Sequence, residues 1–272
     1  MENNRAKGRR TSRPSRVVDL TSATGTWRLQ YALPGEGLPS GFHKPHFDDR
    51  AWIDAPVPGD NHTALRQRGV TYGSFDKRDE REDPRWIEKY EWWYRRSFFV
   101  PRDYCKDSPC KLVFDGLDTL ATVFLNGRKI HAGNNMHHPA SVDVGRWLSR
   151  SKRNVIAVRF DPPGPHADSL GYDNIWTTSG HDRAMLWIRK CQMQFGWDFH
   201  PRHVTCGIWK GVQLVPLDRP RIAHIKVLCR NVTRLQSEIE VVATIDGACA
   251  KNTLLRCRIG SLTAKVKVVK PR

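Results

Sequence analysis

The residues whose types could do chemistry gather in one stretch, QFGWDFHPRHVTCGIWKGV, residues 194–212. Phe195, Trp197, Phe199 and Trp209 crowd around a lone acid, Asp198, and glycines and a proline break the segment too often for a helix. A core strand has use for the rings but not for the acid, whereas a sugar-binding surface uses both. The apolar face of a pyranose stacks on an indole, and an ionised carboxylate accepts hydrogen bonds from two hydroxyls more strongly than a neutral group does. Trp197 and Asp198 are therefore the candidate sugar contacts. The competing reading is a buried ring beside a turn-forming aspartate.

Other clusters carry less. Asp115 and Asp118 in FDGLDT look like paired carboxylates, but their flanks read as strand and turn, so turn geometry and ladder-end hydrogen bonding account for them. Asn135, His137 and His138 in NNMHH offer metal-binding atoms without a third ligand at useful spacing, and the segment reads as a loop. His62 in GDNHTAL reads as a hydrogen-bonded structural histidine, not a catalytic base. The DSLGYDN loop could line a cleft but matches no motif. No motif asks for a cofactor or a metal.

The elements that must position Trp197 and Asp198 read as β. Strand-like runs occur at residues 91–100, 110–117, 119–130, 140–148, 154–160 and 211–217. Asn126-Gly127 between two of them is a strong hairpin signal, because both positions of a type I′ turn need φ > 0. VVDLTSATGTWRLQYAL gives two short extended runs, NHTALRQRGV a short helix, and the Pro/Gly-dense 34–60 segment a loop with one brief turn at Asp48 or Asp49. In EWWYRRSFFV, Trp92 and Trp93 point to opposite faces, one toward the core and the other away from it, where it can pack under the long loop. Residues 161–190 lose the pattern, as functional excursions do. Short strands at regular spacing predict a sandwich or barrel. From about residue 220 the strands alternate cleanly and carry almost no aromatics, which reads as a second, immunoglobulin-like sandwich of about half the usual length.

Composition narrows the class. The chain has 272 residues, ten Trp and 39% hydrophobic residues, enough for a core. Its net charge of +17 raises the prospect of a polyanion partner. The densest basic run, however, is the flexible 1–16 tail, and elsewhere acids alternate with bases, which argues against nucleic acid. No stretch approaches 18 apolar residues, and no apolar run follows the basic start, so neither a membrane span nor a secretory signal is expected. Seven scattered cysteines without CxxC read as buried thiols of a reducing compartment, with the cytoplasm the expected location.

Five blocks in order carry a family resemblance: APVPGDNHTAL, EWWYRRSFFVP, LVFDGLDTLATVFLNGRKI, NNMHHPASVDV and RKCQMQFGWDFHPRHVTCGIWKGVQL. Together they resemble the N-terminal sugar-binding region of glycoside hydrolase family 2, and FGWD with the following GIW is similar to its β-mannosidase branch. The resemblance spans roughly residues 20–260. It implies an all-β chain: a jelly-roll (galactose-binding-like) β-sandwich over 17–219, after the 1–16 tail, and a partial immunoglobulin-like β-sandwich over 220–272. In that family a TIM barrel follows and holds the two catalytic glutamates of a retaining mechanism, with carboxyl groups about 5–5.5 Å apart. The acid/base glutamate of the family follows an asparagine. This chain has no Asn-Glu pair, and its glutamates at 2, 36, 80, 82, 88, 91, 238 and 240 fall in tails, loops or sandwich strands, so no catalytic residue is expected here. The resemblance also implies that Trp197 and Asp198 touch the mannose of the first subsite. Phe199 stands where members carry a second Trp, keeping the ring without the indole donor, and His200 stands where they carry glycine. The expected function is the non-catalytic portion of a β-mannosidase-like hydrolase, partnered by a β-mannoside or related sugar and by a catalytic barrel encoded downstream or separately. The alternative is a stand-alone carbohydrate-binding or assembly module.

Overall fold

The structure, a computed structural model, describes residues 16–70, 84–170, 184–198, 201–250 and 252–268. The basic tail, most of the charge-alternating 75–91 run, the centre of the 161–190 excursion, Phe199 and His200 lie outside the described residues. In chain order the strands are β1 (Val18–Asp19), β2 (Trp27–Ala32), β3 (Ile53–Ala55), β4 (Glu91–Phe98), β5 (Cys110–Phe114), β6 (Leu120–Leu125), β7 (Arg128–Asn134), β8 (Ala140–Asp143), β9 (Asn154–Phe160), β10 (Val212–Pro216), β11 (Arg221–Arg230), β12 (Glu238–Asp246), β13 (Leu254–Ile259) and β14 (Leu262–Lys267). Three short α-helices join them among the described residues: α1 (Asn61–Gln67), α2 (Pro163–Ser169) and α3 (Ala184–Trp187).

The chain divides into two units. The larger comprises Val17–Tyr104 and Lys111–Val215; the smaller comprises Met1–Arg16, Cys105–Cys110 and Pro216–Arg272. The larger unit holds a six-stranded sheet in the order β3-β2-β4-β9-β6-β7 and a four-stranded sheet in the order β1-β10-β5-β8. Every pairing within them that is resolved residue by residue is antiparallel. The fold class expected from the sequence, an all-β sandwich, is the one observed. The β6–β7 hairpin turns on Asn126 and Gly127, with φ of 52° and 84°. Asn126 also stitches the turn to β9, since its Oδ1 accepts from Val155 N and its Nδ2 donates to Asn154 Oδ1.

Central strands β4, β6 and β9 are buried on both faces, which is why their sequences read as near-continuous apolar runs. Trp92 and Trp93 alternate as expected, and neither faces water: they are 2% and 0% exposed. The 33–52 segment, which composition reads as plain loop, is a third layer laid over the outer face. Its Phe42, Phe47 and Trp52 pack with Trp93 and Phe124. Two buried charges from β4 tie it down. The Glu91 carboxylate accepts from Gly35 N, Gly37 N (both 2.8 Å) and Trp93 Nε1. Arg95 pairs with Asp49 at 3.0 Å and donates to the carbonyls of Phe42 and Lys44. The expected turn is present, with Asp48 Oδ1 accepting from Arg50 N.

In the smaller unit, β11 pairs with β12 and β13 with β14, each as an antiparallel hairpin. Their residues are mostly exposed, including Ile225, Val227, Leu254 and Val266. All seven cysteines are thiols. Cys105 and Cys110 are buried as expected, but Cys229 is exposed, because it lies on β11, where little packs.

Candidate sugar-recognition site

The Trp197–Asp198 turn belongs to the larger unit and is built from its base upward. A single turn of 3-10 helix, Gln192–Phe195, ends at Gly196, whose φ of 105° is open to glycine and strained for other residues. The reversal sends successive side chains to different places. Phe195, 5% exposed, plugs into a core cluster with Leu120, Ala167, Ala184, Met185, Ile188 and Val204. Trp197 is 44% exposed, and Asp198 is exposed beside it. Of the four rings read from the sequence as crowding one acid, the three described do not act alike. Phe195 is an anchor, and Trp209 is held by its Nε1 donating to Met136 O at 3.0 Å, with Lys210 Nζ over its ring at 4.2 Å. Trp197 is the described ring of the stretch that solvent reaches most.

The stem of the turn is pinned by polar side chains. Gln194 Oε1 accepts from Thr205 N at 3.1 Å and Thr205 Oγ1 at 3.0 Å, and Gln194 O accepts from His203 N at 2.7 Å. Beneath them lies a buried ion pair absent from the sequence reading. Lys190 Nζ stands 2.5 Å from both Asp118 carboxylate oxygens and 2.6 Å from Thr205 O, so its three donors are all engaged. The two side chains are 2% and 3% exposed. Thr205 Oγ1 also lies 3.2 Å from Asp118 Oδ2, so its single proton is shared between Gln194 and Asp118. Asp118 and Gly207 exchange backbone hydrogen bonds, and a Cβ on Gly207 would stand 2.5 Å from Gly59 O. Arg202 closes the other side, paired with Glu88 at 2.5 Å and lying over the Phe195 ring.

The remaining sequence candidates fall out of the site. Asp118 is not one of a carboxylate pair but the partner of Lys190. His62 is buried on α1 with Nε2 3.3 Å from Val204 O, and burial, helped by the neighbouring His203, lowers its pKa to about 3. An imidazole so hard to protonate is a poor base at neutral pH, in line with the structural reading. Burial likewise pushes the Cys206 thiol well up, away from nucleophilic use. Asn135 and Met136 join Arg189 by backbone bonds, giving NNMHH the loop role expected of it. No cluster of metal ligands occurs among the described residues, and no described helix is long and apolar enough to cross a membrane. Lys190 and Gln194 were visible inside RKCQMQF, but nothing local signals a partner 72 residues away.

The larger unit is thus an antiparallel double sheet that carries an exposed indole and an exposed carboxylate on a braced turn. The model of the glycosyl hydrolase 2 galactose-binding domain-like family matches residues 41–210, and the chain belongs to that family. Its relatives include β-mannosidases. β-Mannosidase B of Emericella nidulans is 35% identical over 168 residues, covering 60% of this chain and 20% of its own length. The Bos taurus β-mannosidase is 33% identical over 171 residues, covering 60% and 19%. The crystal structure of a β-D-mannosidase from Dictyoglomus thermophilum superposes with a TM-score of 0.74 at 26% identity, covering 94% of this chain and 30% of that one. The chain thus spans about a fifth of the length of the curated relatives it matches, corresponding to their N-terminal, galactose-binding-like portion.

Proposed function

We propose that this chain is the sugar-recognising, non-catalytic portion of a β-mannosidase-like glycoside hydrolase. Trp197 offers its indole face to the apolar face of a terminal mannosyl unit, and Asp198 accepts hydrogen bonds from two of its hydroxyls. The observation that carries this reading is the exposure of Trp197 beside Asp198 on a turn whose stem is hydrogen-bonded above a buried ion pair. The parent reaction is retaining hydrolysis of terminal β-D-mannosyl residues, with the two catalytic carboxyl groups on a barrel domain outside this chain. The smaller unit is, on this reading, the opening of an immunoglobulin-like sandwich.

Calorimetric titration of the chain with mannose and β-mannobiose, beside an Asp198→Ala variant, tests the assignment. Binding is expected in the wild type and lost in the variant. Equal affinity in both removes Asp198 from the site. Release of the aryl alcohol from an aryl β-mannoside by the purified chain overturns the non-catalytic part.

A further inference from the structure

We propose that the larger unit carries a second subsite, for one neutral sugar ring or similar polyol, where β7 leads into β8. It uses none of the residues of the Trp197–Asp198 turn and stands whether or not that turn binds sugar. A cavity of about 250 Å³ opens there. Ligand pockets for drug-sized molecules begin at roughly 300 Å³, so this one has room for a single ring and not for a chain of them.

The lining sets the ligand's chemistry. Thr119, His131, Asn134, Asn135 and His138 bring a hydroxyl, two imidazoles and two carboxamides to one opening, with Leu117 and Pro139 as apolar wall. A carboxamide and a neutral imidazole each both donate and accept, as a sugar hydroxyl does. Burial lowers the pKa of His131, which keeps that ring neutral at pH 7. No Asp, Glu, Lys or Arg lines the cavity, so in a chain of net charge +17 this concavity offers no fixed charge to an anion. The ring packs close against the strand: a Cβ on Gly133 would stand 3.0 Å from His131 Nε2. Asn135 Oδ1 already accepts from His137 N at 2.9 Å, which fixes that carboxamide and leaves its NH₂ to donate. Thr119, 5% exposed, follows Asp118 on the braced corner of the buried ion pair and donates its hydroxyl proton to Asp118 Oδ1, so toward the opening it can only accept.

Two-dimensional ¹H–¹⁵N NMR of the full chain, titrated with D-mannose, D-glucose and, separately, inorganic phosphate, tests this. Saturable shifts are expected at the amides of Thr119, Gly133, Asn134 and Asn135 with either hexose and not with phosphate. Asn134→Leu, at an exposed position, fills the opening and should weaken the response about tenfold or more while the rest of the spectrum stays unchanged. Asp198→Ala should leave these four shifts intact. The subsite is overturned if no hexose shifts these amides, if the shifts survive Asn134→Leu, or if phosphate alone produces them. Shifts confined to Trp197 and Asp198 and lost in Asp198→Ala would overturn it while supporting the mannosyl contact; pocket shifts without any at Trp197 would do the reverse.

Discussion

At the scale of single residues, the Trp197–Asp198 turn rests on groups that barely touch solvent. Lys190 and Asp118 are each buried with the other as counter-charge. Removing one leaves an uncompensated charge in a low-dielectric site, which costs about 3–5 kcal/mol. Lys190→Met should therefore lower the stability of the larger unit by that order. Lys190→Met combined with Asp118→Leu should recover part of it, because the stranded carboxylate goes as well, though Thr205 O stays without its donor. Urea unfolding followed by tryptophan fluorescence reads this cleanly, since all ten Trp fall within the sequence ranges of the larger unit. His62 gives a pH dependence. The folded state resists protonating it down to about pH 3, while the unfolded chain takes the proton near its ordinary 6.5. The unfolded state thus binds the extra proton between those values. Stability is intact above pH 6.5 and falls as pH drops, by about 2 kcal/mol at pH 5 from this group. A His62→Gln variant should show a shallower loss between pH 7 and 5 in the same assay. Equal slopes would remove His62 as the cause.

Among the elements, the 33–52 strap is the part with the most at stake in one side chain. Glu91 lies fully buried and satisfies Gly35 N, Gly37 N and the Trp93 indole together. Glu91→Gln halves the acceptor capacity and points an NH₂ at N–H groups, a loss of about 1–3 kcal/mol. Hydrogen exchange should quicken across residues 33–52 while β9 keeps its protection. Uniform change across both would mean that the strap and the sheet open as one. The sequence declared some of this and hid the rest for physical reasons. Asn126-Gly127 announces its hairpin because the turn itself demands those φ values. The strap's aromatics obey no period, and the Pro/Gly content around them signals loop, so the layer they form becomes visible only when Trp93 proves to be covered. The same holds for the site. Trp197 and Asp198 could be picked by residue type, but the ion pair under them joins Asp118 to Lys190 across 72 positions, and no local pattern records such a contact.

Over the whole molecule, the two units differ in how they satisfy their apolar residues. The larger unit buries Trp27, Trp93, Phe114 and Phe160 nearly completely. The smaller has no aromatic residue in 216–272, and its strands leave Ile222, Val227, Leu254, Leu262 and Val266 about half or more exposed. Such strips favour association. The segment also carries twelve Lys and Arg against four Asp and Glu, and like charge opposes the approach of copies. The two effects respond oppositely to salt. The charge repulsion is screened over a Debye length that shortens to about 8 Å at 0.15 M, whereas the apolar attraction is not weakened. Raising sodium chloride from low to physiological concentration should therefore increase the mass-average size by light scattering. Amide exchange in β11–β14 should be faster than in β4, β6 and β9 at low salt and slow as the salt is raised. A chain that stays monomeric at all salt concentrations, with uniformly slow exchange across 221–267, would show that these strands need no further cover.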